Sequence, residues 1–180
     1  MSKQKKAPDY LRFVHTLLQP IGSKTTVTVQ PYTVAAGKSF QPEGNVLTDK
    51  DKIQLVTLTT GLTAEEVSQM TTPDFNTVFW KSHAFYIKTG YELAGETRDL
   101  KDKFITLFFK NKERVSLQLP SIQQMLDASH YSDAHAHTIF MIEQITDLDA
   151  SEIDAMLQPD FLSLNEAVND FLSKTADFYQ

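Results

Sequence analysis

The stretch IQLVTLTTGLTAEEVSQMTTPDFNTVFWKSHAFYIK (Ile53–Lys88) lies without a gap over IFMIEQITDLDASEIDAMLQPDFLSLNEAVNDFLSK (Ile139–Lys174). Identical pairs include Ile53/Ile139, Thr60/Thr146, Leu62/Leu148, Ala64/Ala150, Glu66/Glu152, Met70/Met156, Pro73/Pro159, Asp74/Asp160, Phe75/Phe161 and Phe85/Phe171. A shorter match precedes it: Lys24-Thr-Thr-Val-Thr-Val-Gln30 lies over Lys112-Glu-Arg-Val-Ser-Leu-Gln118. This predicts an α+β chain made of two tandem copies of one small unit. Each copy is a short β-strand or hairpin segment followed by a three-helix module. The expected divisions are a tail and first helix (1–22), a first unit (23–90), a linker (91–102) and a second unit (103–180). A duplicated unit more often supplies a binding scaffold than an active site.

The helical punctuation is written twice. Thr63-Ala-Glu-Glu66 and Asp149-Ala-Ser-Glu152 both place a carboxylate three residues after an N-cap donor–acceptor, the pattern of a capping box. Thr72-Pro-Asp-Phe75 and Gln158-Pro-Asp-Phe161 place Pro where a first-turn residue needs no N–H donor and Asp where the helix dipole favours negative charge. Asp51–Thr60 and Thr138–Thr146 read as the first helix of each module. Gly61 suits a left-handed C-cap, and Asp147 stands at the matching place in the second copy.

Before the modules the two copies diverge. Tyr10, Leu11, Phe13, Val14, Leu17 and Leu18 have helical spacing after Pro8-Asp9, so a first helix is expected there. Met1-Ser-Lys-Gln-Lys-Lys6 reads as a frayed basic tail. Thr25–Val29 and Val115–Leu119 read as strands from their β-branched content. Phe104–Phe109 with Val115–Leu119 forms a hairpin across Lys110–Glu113. Gly37–Asn45, with Pro42 and Gly44, reads as a loop; Ile122–Ala128 at the matching place reads as helical.

Composition sets bounds. With 41% hydrophobic and 11% aromatic residues among 180, the chain can bury real cores. A net charge of -6 argues against nucleic acid as a partner. With no cysteine, a disulfide framework and thiolate metal sites are excluded. No apolar signal-peptide core follows the basic start, and no run is long enough to span a membrane, so a cytoplasmic protein is expected.

Candidate chemistry is sparse. His130, Asp133, His135 and His137 lie within eight positions and could supply imidazole and carboxylate donors to a divalent cation. In an extended segment His135 and His137 would point the same way. No HExxH pattern accompanies them, and an exposed polar loop explains them more simply. Asp147, Asp149, Glu152, Asp154 and Asp160 read as caps and first-turn charges. No GxSxG occurs, and Gly37-Lys-Ser39 lacks the upstream glycine of a phosphate-binding loop. No cofactor is expected.

The strongest candidate is an apolar stripe. The third helix of each copy should bury one face: Phe75, Val78, Ser82, Phe85 and Tyr86 in the first, and Phe161, Leu164, Val168, Phe171 and Leu172 in the second. The first copy carries a second stripe, Phe79, Trp80, His83 and Ile87, where the second has Asn165, Glu166, Asn169 and Ser173. A helix apolar on two faces is covered on both. The second copy could cover it, or a small molecule, or a partner protein, for which Trp and Phe are frequent anchors.

Thr60-Gly-Leu-Thr-Ala-Glu-Glu-Val67, followed by Thr72-Pro-Asp-Phe75 and a long helix, resembles the small tail assembly chaperones of tailed bacteriophages. Gln30-Pro-Tyr-Thr-Val34 is similar to the start of baseplate-hub assembly proteins of contractile-tailed phages. The resemblance covers Lys24–Lys88 and Lys112–Lys174; the fused double copy departs from the usual family form. It implies a non-enzymatic assembly protein that holds a tape-measure or hub component soluble. That protein would work in the host cytoplasm or remain with the particle. The alternatives are a two-repeat adaptor with an unrelated partner and a metal-dependent enzyme using the His130–His137 segment. The oligomeric state is left open.

Overall fold

A computed structural model describes residues 10–44, 46–175 and 177. The basic tail and the Pro8-Asp9 helix start lie outside the described residues. The chain is α+β and divides into two compact units, Met1–Ile87 and Lys88–Gln180.

The first unit opens with a hairpin of β1 (Phe13–Ile21) and β2 (Lys24–Val29). A helix expected over Tyr10–Leu18 is therefore corrected to a strand. Phe13 pairs with Val29, His15 with Val27 and Ile21 with Lys24, and Gly22 takes φ 57° in the tight turn. Pairing is irregular between Thr16 and Ile21. The apolar residues Leu17, Leu18 and Ile21 consequently do not alternate as in a regular strand, which gave the segment its helical look. Because β1 pairs with β2, Phe13–Ile21 belong with the first unit.

The short α1 (Val34–Gly37) lies in the stretch leading from the hairpin to the helices. The expected loop from Gly37 to Asn45 thus begins with the last residue of a helical turn. α2 (Asp49–Thr60), α3 (Ala64–Ser68) and α4 (Thr72–Ile87) follow. Capping boxes start α2 at Thr48/Asp51 and α3 at Thr63/Glu66, and Gly61 ends α2 at φ 71°. Leu55, Val56 and Val78 are fully buried between α2 and α4. Among them Thr59 Oγ1 and Ser82 Oγ share a hydrogen bond of 2.6 Å. Each hydroxyl also reaches a carbonyl one turn back in its own helix, so the buried polar pair is satisfied.

The second unit opens with α5 (Gly90–Ala94), a capped helical turn packed on α9, in the region expected to be linker. A hairpin follows, β3 (Phe104–Leu107) with β4 (Glu113–Ser116), its turn carrying Asn111 and Lys112 at φ 55° and 58°. α6 (Ile122–Ala128), α7 (Ala134–Ile145), α8 (Ala150–Ala155) and α9 (Gln158–Ser173) complete the unit. Ile105, Leu107, Ile142, Ile145, Ile153 and Leu164 form its fully buried centre. With Asp147 in place of a glycine, α7 ends without a left-handed cap: Thr146 is extended at φ -124°.

In each unit one buried carboxylate joins the long helix to the hairpin. Asp74, third in α4 and 1% exposed, accepts the Leu18 amide on both oxygens, at 3.2 and 3.1 Å. Leu18 lies in the irregular part of β1, where the strand partner does not take that amide. His15 Nε2 donates to the same carboxylate at 2.7 Å, as does Thr71 Oγ1. Asp160, third in α9 and 1% exposed, accepts the Phe108 and Phe109 amides of the hairpin turn at 2.8 and 2.9 Å. Burial opposes ionisation of Asp74, but the Thr71, His15 and Leu18 donors outweigh it and hold the carboxyl below its ordinary range. Asp160 has backbone donors alone. Burial wins there and pushes it up to about 6.

Gly90 abuts this second carboxylate. Its amide donates to Ser163 Oγ at 2.9 Å, and a Cβ on it would lie 2.7 Å from Asp160 Oδ1. Gly90→Ala should destabilise the second unit by about 1–3 kcal/mol in denaturant melts. Gly44→Ala, with nothing within 4 Å of the added carbon, is the control and should be near neutral.

The Asp160 shift has a sign. A folded value near 6 against an unfolded one near 3.9 means the folded unit holds its proton longer. The stability contributed is complete below about pH 4 and is lost as pH rises through about 6, by roughly 3 kcal/mol. Asp160→Asn, permanently neutral, should lose this component. Urea midpoints of the second unit, followed by NMR between pH 4 and 7, should fall less steeply with rising pH in the variant. Parallel curves would contradict the assignment.

Candidate interaction groove

A groove of about 620 Å³ crosses the first unit. Phe75, Phe79, Trp80 and His83 of α4 form its floor and one wall. Val46 and Leu47, leading into α2, form part of the opposite wall; Asp49, Lys52, Thr72 and Asn76 supply polar edges. A smaller cleft of about 210 Å³, reaching Ile53, Val67 and Met70, shares Asp49, Thr72 and Phe75 with it.

The aromatic side chains brace one another. Phe75 and Phe79 stack at 6.2 Å, Phe79 and Trp80 lie 5.2 Å apart, and Trp80 meets His83 edge-on at 5.6 Å. Only the Trp80–His83 pair sets a ring edge against a face; Phe75 and Phe79 are near-parallel and Phe79 and Trp80 are tilted. Lys52 Nζ stands 5.9 Å from the Phe79 ring centre while pairing with Asp49 at 2.9 Å. Burial lowers the pKa of His83, which favours the neutral ring. The groove is thus an apolar, aromatic trough whose two fixed charges, Asp49 and Lys52, offset each other.

Exposure separates the wall from the floor. Phe79 is 7% exposed and belongs to the core; Trp80 is 64% and Val46 83% exposed. Of the four stripe residues named from sequence, Phe79, Trp80 and His83 line the groove. Ile87, 52% exposed at the end of α4, is not among its lining residues. Sequence reasoning missed Val46 and Leu47. A signal was present: Leu47 precedes the N-cap Thr48, where an apolar residue commonly packs on the fourth helical residue, and that residue is Lys52. Leu47 has no apolar partner there.

The histidine-rich segment is not an extended loop. α7 begins at Ala134, N-capped by Asp133, whose Oδ1 accepts the Ala136 amide at 2.7 Å. His135 and His137 stand two apart on a helix, roughly 200° around it, and cannot face one ligand together. His135 lies against Phe161 at 5.9 Å, and His130 is exposed, its ring near the Asp127 carbonyl. Among the described residues no three His, Cys, Asp or Glu side chains converge as a metal would require. Asp149 and Glu152 form a capping box, and Asp160 holds the hairpin. Ser39 Oγ donates to the Ala36 carbonyl at 3.1 Å, closing off the Gly37-Lys-Ser39 segment locally. No described helix is long and apolar enough to cross a membrane.

Comparison with known proteins gives no match, whether to a family model, a curated protein or a solved structure.

Truncation should separate the two roles on α4. Phe79→Ala should cost about 3–5 kcal/mol of stability, as for a buried aromatic. Trp80→Ala should change it by about 0.5 kcal/mol or less, as at an exposed position. Equal losses in calorimetric melts would contradict the division of wall from floor.

Proposed function

We propose that the chain is a duplicated, non-enzymatic assembly protein of a phage tail or related apparatus. Its first unit holds an apolar helical segment of a tail component. The observation that carries this is the groove itself: a tryptophan 64% exposed beside Val46 at 83%, on an aromatic wall that is otherwise packed. Such a surface is costly to leave in water and is characteristic of an interaction site.

Corresponding hydrogen bonds support the duplication. The Gln30 amide donates to the Thr59 carbonyl at 3.0 Å, and the Gln118 amide to the Ile145 carbonyl at 2.7 Å. Thr60 Oγ1 bonds the Val56 carbonyl and accepts the Leu62 amide; Thr146 does the same with Ile142 and Leu148. Asp74 and Asp160 both reach back to their hairpins. One copy then keeps the scaffold with polar residues on the corresponding stripe, and the other carries the binding face. The assignment to tail assembly rests on the resemblance of Thr60–Val67 and Thr72–Phe75. Trapping an apolar segment needs shape and dryness rather than a nucleophile or metal.

Co-expression with the tape-measure and hub proteins of the same phage tests this. The wild-type chain should raise their soluble yield and co-purify with one of them. Trp80→Ala should weaken that complex by about 2–4 kcal/mol, roughly 30- to 1000-fold in Kd, with its melting temperature nearly unchanged. A complex indifferent to Trp80 would contradict the groove as the site. Failure to bind any tail component would contradict the tail assignment.

A further inference from the structure

The second unit exposes an apolar face of its own. α6 carries Ile122, Met125 and Leu126 at 72%, 40% and 55% exposure, and Leu119 just before it is 59% exposed. Positions i, i+3 and i+4 share one side of a helix. The opposite side is fastened: Ala128 is 1% exposed, and Gln124 Nε2 donates to Gln144 Oε1 of α7 at 3.1 Å. The stripe is therefore held facing solvent.

The two units also differ in charge. Residues 10–87 carry 6 Lys and Arg against 6 Asp and Glu, a net of 0; residues 88–180 carry 8 against 16, a net -8. After Arg114 the sole Lys or Arg is Lys174, whereas Asp127 stands on α6 itself and Asp133 caps the next helix. Two acidic second units repel each other, whereas the charge-balanced body of a first unit does not repel a second unit, so the α6 face is directed to a first unit rather than to its own like.

We propose that the groove of the first unit accepts the α6 face of a second copy, with Ile122, Met125 and Leu126 entering between Trp80 and Val46–Leu47. The volume of about 620 Å³ suits a few aliphatic side chains, and the groove's balanced Asp49–Lys52 pair leaves no unmatched fixed charge to bury. The contact is heterologous: each copy offers one groove and one α6 face. It propagates head to tail into a chain or a ring. It uses the groove read above as the partner site, so a tail component displaces the neighbouring copy. It does not depend on which component that is.

Sedimentation velocity of the full chain tests it with two variants, Trp80→Glu and the pair Ile122→Asp with Leu126→Asp. All three positions are exposed, and thermal melts confirm that each variant folds; Trp80→Ala and Ile122→Ala with Leu126→Ala serve if the charged forms do not. The wild type should grow in sedimentation coefficient with concentration. Each variant alone should stay monomeric. Their equimolar mixture should form a dimer and nothing larger, since it holds one intact groove and one intact α6 face per pair. A wild type monomeric at every concentration, or a mixture containing monomers only, overturns the proposal. In that case Trp80-dependent capture of a tail component still stands or falls separately. The α6 variant should retain such capture, whereas Trp80→Glu should lose it.

Discussion

Everything else in each unit is arranged around a buried aspartate at the start of its longest helix. A carboxylate at 1% exposure is expensive unless its oxygens are filled. The helix N-terminus supplies part of the compensation through its dipole, and hairpin amides supply the rest through charge-assisted bonds. These bonds fix where the hairpin sits along the helix. In the first unit the amide comes from an irregular strand, so the irregularity and the aspartate satisfy each other. In the second it comes from the hairpin turn. The supporting donors differ too: a histidine ring and a threonine hydroxyl reach Asp74, but backbone amides alone reach Asp160. At Asp160 burial outweighs the backbone donors and raises the pKa; at Asp74 the added side-chain donors help outweigh burial and lower it.

A hairpin pinned this way leaves the long helix one face in the core and another free to vary. In α9 the second face carries Asn165, Glu166 and Asn169, and water can cover it. In α4 the matching positions carry Phe79, Trp80 and His83, and the approach to α2 adds Val46 and Leu47. The groove therefore arises from a handful of side chains on a scaffold that does not need them all. Phe79 is shared between core and groove; Trp80 serves the groove alone.

The helical modules were legible in the sequence because their punctuation is local. Thr63/Glu66 and Asp149/Glu152 are caps made within four residues, and Gly61 is a cap made by one. The Thr48/Asp51 box, equally local, was missed, and α2 starts two residues before the expected Asp51. The strand at Phe13–Ile21 was not legible, since its irregular middle removes the alternation that marks a strand and leaves a helical spacing of apolar residues. The hydrogen bonds from Leu18 to Asp74 and from Phe108 to Asp160 span more than fifty residues. A sequence pattern shows such an aspartate only as a first-turn charge. The second stripe on α4 was readable from its contrast with Asn165 and Glu166; of the opposite wall only Leu47, apolar before an N-cap with Lys52 as its staple position, left a local trace, and Val46 left none. The histidines were misplaced because α7 begins four residues earlier than the β-branched and apolar pattern suggests, turning an apparent cluster into residues on different sides of a helix.

The most direct test of the central claim is native-state amide hydrogen exchange at Leu18, Phe108 and Phe109. If the buried aspartates hold the hairpins, these three amides exchange only when their whole unit opens, as slowly as the amides of Leu55 or Ile142 in the cores. Exchange at the rate of an exposed turn would show that the carboxylates do not hold them, and the account of both units would fail.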